Sequence, residues 1–196
     1  KEAIGLFAIL IILSASLLIW MNIFTLYIAL AGLALACLYP LTKRFLSVPQ
    51  FFLGLAFSWG IMMVSAAETN QISITTLLLF LSCWSWIVAY DTAYALCDMR
   101  DDLVLGINSS AITFGKNVKV FFFLLHLFSI LLLIQVAISL NFHFIFYFFV
   151  LISVLLIFYQ TYLIKDFDSV LCLKAFKNNN WLGLSIFIGS ILGVSL

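Results

Sequence analysis

Polar residues interrupt this chain at few places, and the intervals between them are long and apolar. Seven such stretches lie near residues 4–21, 24–41, 49–67, 72–97, 118–140, 142–164 and 181–196. A membrane-crossing helix needs roughly 20 apolar residues, whereas lipid-facing barrel strands need an apolar–polar alternation that no segment here sustains. The pattern therefore predicts an all-α, polytopic membrane bundle of seven transmembrane helices. The last stretch is the shortest; at 1.5 Å per residue it reaches only about 24 Å, so it is expected to end near an interface.

The connections alternate in character. Met21-Asn22, Glu68 to Gln71 and Asn141 to His143 are brief and nearly free of charge. Segments 42–48, 98–117 and 165–180 are longer and charged, and together with the N-terminus they hold every Lys and Arg of the chain except Lys119, two residues past the second segment. Short loops rich in Lys and Arg stay in the cytoplasm. The N-terminus and the three long connections are thus expected inside, and the C-terminus outside. No repeat, Gly/Ser linker or charge run divides residues 1–196, which predicts one membrane-embedded domain.

Composition sharpens this reading. Of 196 residues, 66% are hydrophobic and 9% are charged, and the mean hydropathy is +1.26. Soluble domains carry about 25% charged residues, so a soluble enzyme, a nucleic-acid-binding domain and a disordered chain are excluded. Cys37, Cys83, Cys97 and Cys172 show no paired spacing, which argues against a disulfide framework or a zinc site. His126 lies in a Phe/Leu run and His143 in an outer turn, so both are expected to be structural or interfacial. Gly183 and Gly189 read as helix-packing glycines, Trp59 and Trp84 to Trp86 as an interfacial belt or a pocket lining, and Asn178-Asn179-Asn180 as the cap of the last helix.

Four of the eight acidic residues gather in Tyr90-Asp91-Thr92-Ala93-Tyr94-Ala95-Leu96-Cys97-Asp98-Met99-Arg100-Asp101-Asp102. If the fourth helix continues through this segment, Asp91, Asp98 and Asp102 fall within roughly 40° of one another on one face, flanked by Tyr94, while Asp101 points away. Asp98 and Asp102 are then close enough to share a cation, whereas Asp91 sits about 10 Å further along the axis. Carboxylates on one stripe repel unless a cation lies between them, and Asp91 falls inside the membrane boundary, where an acid is costly and usually functional. Hard oxygen ligands in such small number suit Mg2+, which completes its shell with water and phosphate oxygens. The stripe therefore suggests a diphosphate substrate with a lipid tail. On the same side, Lys43 and Arg44 follow Tyr39-Pro40. They read either as topology and head-group residues or as a clamp on diphosphate oxygens.

These residues carry a resemblance. The segment 91–102 resembles the second aspartate-rich motif, D-x-x-Y-A-x-x-D-x-x-D-D, of the 4-hydroxybenzoate polyprenyltransferases, in the UbiA superfamily of membrane prenyltransferases. Tyr39-Pro40 with Lys43-Arg44, then Pro49-Gln50, Leu53-Gly54 and Phe57-Ser58-Trp59, are similar to another stretch of that family. So are Gly106 to Ser109, Phe114-Gly115, and Phe176 to Trp181 with Gly183. The likeness spans residues 30–190. It implies nine helices around a cavity, with two aspartate-rich motifs holding Mg2+ against a polyprenyl diphosphate at the cytoplasmic end. Asp98 and Asp102 would be metal ligands, Asp91 a supporting or substrate-orienting carboxylate, Lys43 and Arg44 diphosphate contacts, and Tyr39 and Tyr94 pocket residues.

The family's first motif, N-D-x-x-D-x-x-x-D, does not occur in this chain. Lys1-Glu2-Ala3 fits the connection just after it, so these seven helices are expected to be the last seven of nine, and the chain to be inactive alone. The resemblance implies transfer of the polyprenyl group to the ring carbon of 4-hydroxybenzoate next to its hydroxyl-bearing carbon, in ubiquinone biosynthesis at a bacterial inner membrane. Two alternatives stand beside it: another aromatic or quinone-precursor acceptor, and a cation-coupled transporter using Asp91.

Overall fold

The computed structural model describes residues 2–195. Seven long helices follow the seven apolar stretches in order: α1 (Glu2–Leu18), α2 (Ile23–Thr42), α3 (Pro49–Thr69), α4 (Ile74–Leu105), α6 (Val118–Ser139), α7 (Ile145–Leu163) and α8 (Ser169–Ser195). A five-residue helix, α5 (Ser110–Phe114), and a 3-10 turn at Gly115–Asn117 lie between α4 and α6. No strand occurs among the described residues. Five segments are long and apolar enough to cross a membrane, and α1 contributes a shorter apolar stretch, Ile4–Leu18. The chain is a multi-pass membrane protein.

Local chemistry sets the helix ends. Asn22 opens α2 by accepting from Thr25 N at 2.8 Å, while its amide donates to Ala66 O at 2.7 Å and so ties α2 to the end of α3. Pro49 begins α3, where its missing N–H has no intrahelical partner to lose. Ser73 caps α4, accepting from Thr76 N at 3.1 Å. Gly106, at φ +66°, ends it, and the Gly106 and Ile107 amides close on Asp102 O. Such a left-handed residue at a helix end favours glycine.

Two expectations are corrected at the C-terminal end. The last helix begins at Ser169, so it is 27 residues long and most of the 165–180 connection is helical. Asp168 caps it, its carboxylate accepting from Leu171 N at 2.9 Å. Consequently Asn178, Asn179 and Asn180 do not cap the helix; they lie inside it. The charged residues that made this segment look like a loop, Lys174 and Lys177, are spaced along the helix rather than collected before it.

α4 is the hub, packed by α3, α6, α8 and α5, while α7 packs chiefly on α8 and α2 on α3. Ala89, Ala93, Ala95, Ala111 and Ala175 are buried in one cluster with Val88, Phe122 and Ile164; small residues let backbones approach where lipid offers no hydrophobic drive to association. A second cluster around Ile130, Phe146, Val150 and Leu182 joins α6, α7 and α8. A Cβ on Gly189 would lie 2.6 Å from Phe149 Cβ, and one on Gly193 would lie 2.9 Å from Phe146 Cβ, so α8 meets α7 through glycines. Gly183 faces Trp86 of α4 in the same way, at 3.2 Å.

The tryptophans are interhelical bolts more than a belt. Trp59 donates to Ile28 O at 2.8 Å, Trp84 to Phe51 O at 2.9 Å and Trp86 to Asn179 Oδ1 at 3.0 Å. Within the bundle, Ser82 donates to Ser129 O and Ser185 to Phe149 O, both at 2.9 Å, and Gln160 donates to Asn178 Oδ1 at 3.0 Å. His126 is buried, with one ring nitrogen 3.1 Å from Phe122 O.

Candidate active site at the C-terminal end of α4

α4 has 32 residues and is therefore about 48 Å long, well beyond the ~30 Å hydrocarbon thickness. If its capped start at Ile74 marks one membrane face, the far third of the helix reaches the other face and passes it. This projecting end carries Asp98, Asp101 and Asp102, with Asp91 close to the boundary. Because the helix is continuous through Leu105, the register read from the sequence holds. Asp91, Asp98 and Asp102 are half-buried, whereas Arg100 and Asp101 are exposed. The helix thus sorts its charges, turning three carboxylates toward the bundle and leaving the others in solvent.

The loop after α2 brings cations to this stripe. Lys43 is the C-terminal cap residue of α2, and its charge acts on both Asp91 and Asp102. Arg44 follows it in the chain, and both side chains are exposed. Among the described residues the one ion pair is Lys165 with Asp166 at 3.7 Å, so Lys43 stands near the carboxylates without bonding any of them directly. Tyr39, one turn before Lys43, is half-buried and close enough to Asp91 to feel its charge. Tyr94 is 41% exposed and rests on Phe176 of α8, ring centroids 5.1 Å apart.

Several residues complete the site without having been assigned a role from the sequence. Gln50, buried at the start of α3, lies beside Asp91, and its Oε1 accepts from Ser110 N at 2.9 Å. Ser110 Oγ donates to Thr92 Oγ1 at 2.9 Å, which fastens α5 to the α4 turn that carries Asp91. Ser109, the cap of α5, stands next to Asp102. Asn108 N donates to Lys43 O at 3.4 Å and Thr113 Oγ1 to Ser47 O, so the loop bearing Lys43 is held against the segment that follows α4. The sequence signal for these residues was the Gln after Pro49 and the Ser109-Ser110 pair after a glycine. Their spacing from the aspartates, 41 residues in one direction and 7 or 8 in the other, hid the contact.

Two carboxylates one turn apart on one helical face match the habit of Mg2+, which takes one or two protein carboxylates and fills its shell with water and phosphate oxygens. Among the described residues no group of three or more His, Cys, Asp or Glu side chains is arranged to enclose a metal ion. The donor set therefore fits a cation shared with a phosphate ligand, and does not fit a closed structural site.

A model of the UbiA prenyltransferase family matches residues 1–190. The chain belongs to that family. It is 43% identical over 188 residues to the 4-hydroxybenzoate octaprenyltransferase of Tolumonas auensis, an alignment covering 95% of this chain and 66% of the relative. It is 42% identical to the enzyme of that name from Vibrio parahaemolyticus, over 98% of this chain and 68% of the relative. The corresponding protein of Aliivibrio fischeri is 44% identical over 96% of this chain and 66% of its own length. The chain thus spans about two thirds of the length of the curated relatives it matches. A solved structure of a digeranylgeranylglyceryl phosphate synthase superposes with a TM-score of 0.75 at 23% identity, covering all of this chain and 70% of the other. At that identity the likeness establishes a shared helical fold.

Proposed function

We propose that this chain is the greater part of an enzyme that transfers a polyprenyl group from polyprenyl diphosphate to 4-hydroxybenzoate, at the ring carbon ortho to the hydroxyl. The observation that carries the reading is the half-buried stripe of Asp91, Asp98 and Asp102 facing Lys43 at the end of a membrane helix. The name its relatives carry supplies the acceptor. Residues 1–196 act as one membrane-embedded domain whose seven long helices all cross. The concentration of Lys and Arg beside the stripe favours a cytoplasmic site at a bacterial inner membrane.

In this reaction the allylic C–O bond breaks, diphosphate leaves, a C–C bond forms to the ring, and the ring carbon loses its proton. Asp98 and Asp102 would hold Mg2+, and Asp91 would orient the substrate beside them. The metal, when bound, neutralises charge on the departing diphosphate. Lys43 adds a cation aimed at the same developing charge, and Arg44 can reach outer phosphate oxygens. Gln50 and Ser109 fix the outer carboxylates by standing against Asp91 and Asp102. Tyr39 and Tyr94 offer aromatic faces to the allylic cation. The surrounding bundle excludes water, which would otherwise capture that cation as a free alcohol.

The test is transfer of a labelled prenyl group to 4-hydroxybenzoate by membranes containing the full-length protein. Product that forms with Mg2+ and vanishes with a chelator is expected. Correctly inserted protein that yields no prenylated 4-hydroxybenzoate would overturn the acceptor assignment, and no transfer to any aromatic acceptor would overturn the reaction.

A further inference from the structure

One side of α7 is an apolar stripe that ends in two tyrosines, each with a lysine over its ring. Phe148, Leu151, Leu155, Phe158 and Tyr162 follow one another at steps of three and four residues, so they share one face of the helix. The stripe is about 21 Å long at 1.5 Å per residue. Each of the five is more than half exposed. Because α7 is long and apolar enough to cross a membrane, this face meets lipid. Tyr159 and Tyr162 lie in its last turn, where the helix stops at Leu163. The Lys165 ammonium lies 4.3 Å from the centre of the Tyr162 ring, and the Lys174 ammonium 5.9 Å from that of Tyr159. Lys165 comes from the connection after α7 and Lys174 from the second turn of α8, so two separate elements bring cations to one end of the stripe.

The acids nearby do not cancel these cations. Asp166 pairs with Lys165 at 3.7 Å, but both side chains are exposed, and such a pair is weak. Asp168 is engaged in capping α8. Lys174 has no ion pair among the described residues. Tyrosine rings and lysine heads both favour the headgroup level of a bilayer, the lysine stems lying along apolar surface. A ring face holds an ammonium without neutralising it, so each lysine can still bond a phosphate. Two cations above a long apolar stripe therefore fit an amphiphile with an anionic head and a hydrocarbon tail. A soluble phosphate would leave the stripe unused. A zwitterionic lipid would bring an ammonium of its own against two lysines.

We propose that this face of α7 and α8 binds an anionic phospholipid, its phosphate on Lys165 and Lys174 and an acyl chain along the stripe from Tyr162 toward Phe148. None of these residues belongs to the carboxylate stripe of α4, and the inference stands apart from the functional reading above.

The experiment titrates the full-length protein, in a neutral detergent, with phosphatidylglycerol, phosphatidylethanolamine or glycerol phosphate. Bound lipid is read by native mass spectrometry and stabilisation by the thermal midpoint. Phosphatidylglycerol is expected to bind about tenfold or more tightly than phosphatidylethanolamine and to raise the midpoint. Lys165→Gln and Lys174→Gln should each weaken its binding about fivefold, the worth of one lysine near an anionic headgroup, and the double variant about 25-fold. Lys174→Arg should bind as wild type does. Lys119→Gln removes an exposed lysine at the start of α6 and should change nothing. All three lysines are exposed, so the variants keep the fold. An equal loss in Lys119→Gln would reduce the effect to general charge attraction and overturn the site. Equal affinity for the two lipids would overturn it too, and displacement of phosphatidylglycerol by glycerol phosphate would replace it with a soluble-phosphate site.

Discussion

At the scale of single residues, the site depends on carboxylates that share a helical face. Replacing Asp98 or Asp102 with Asn keeps the volume and removes a charge; either variant is expected to lower prenyl transfer by about 100-fold or more with membrane insertion intact. Turnover assays on membranes matched for protein level check this, and near-normal turnover would remove that residue from the metal set. Asp101→Asn, on the exposed side of the helix, should change the rate little. Asn179 is a different case. It receives the Trp86 indole across two helices at 3.0 Å. Asn179→Ala is therefore expected to cost about 1 kcal/mol, the scale of interhelical hydrogen bonds in membranes. A lowered thermal midpoint in detergent is the readout.

The residue identities were largely legible before the fold was known, because Asp91, Asp98 and Asp102 are close in sequence and helical geometry alone decides their common face. Lys43 was legible as a cation in a charged connection, but its approach to Asp91 and Asp102 was not. The bonds from Asn108 to the Lys43 carbonyl and from Thr113 to the Ser47 carbonyl fix how that loop lies against the segment after α4. Gln50 and Ser109 escaped assignment because each reaches the site from another helix or loop.

At the scale of elements, α4 does two jobs. Its middle anchors the bundle, and its projecting end carries the acids. Gly106 terminates it in the left-handed region, where the Gly106 and Ile107 amides cover the carbonyl of Asp102. Gly106→Val should strain that cap by about 1 kcal/mol or more and fray the last turn. The expected outcome is a higher Mg2+ concentration for half-maximal transfer, although no ligand has been changed. Glycines within helices divide by surroundings. Gly189→Leu meets Phe149 and should destabilise the α7–α8 pair by about 1–3 kcal/mol. Gly60→Ala meets nothing within 4 Å and should be neutral or stabilising by about 0.5–1 kcal/mol. Thermal unfolding of the two variants in the same detergent separates these outcomes. The element least legible in sequence was α8, because lysines and three asparagines imitate a loop. Asn178 and Asn179 instead find partners on α7 and α4, and Lys177 and Asn180 are exposed, so a helical backbone is tolerable there.

At the scale of the whole molecule, the alternating connections predict one sidedness. The loops at 42–48 and 106–117 bond to one another at one end of the bundle, while the turn after α6 reaches α8 through His143 N to Gly193 O, 2.9 Å. On a cysteine-free background, Glu68→Cys should react with an impermeant maleimide from outside intact cells. Lys116→Cys should react only after permeabilisation. Reversed labelling would turn the site outward and remove it from a cytoplasmic diphosphate pool.

By itself the sequence determined that the chain is helical and membrane-embedded, that charged connections alternate with nearly uncharged ones, and which face of the fourth helix carries the acids. These follow from short-range facts: the length of apolar runs, the 100° step of a helix and the cost of charge in lipid. Tertiary structure alone decided that Lys43 and Gln50 meet that face, that α5 braces it through Thr92, and that Lys174 of α8 reaches the Tyr159 ring of α7. Those outcomes depend on how helices distant in sequence pack. Small residues and single cross-helix hydrogen bonds set that packing, and neither leaves a periodic trace along the chain.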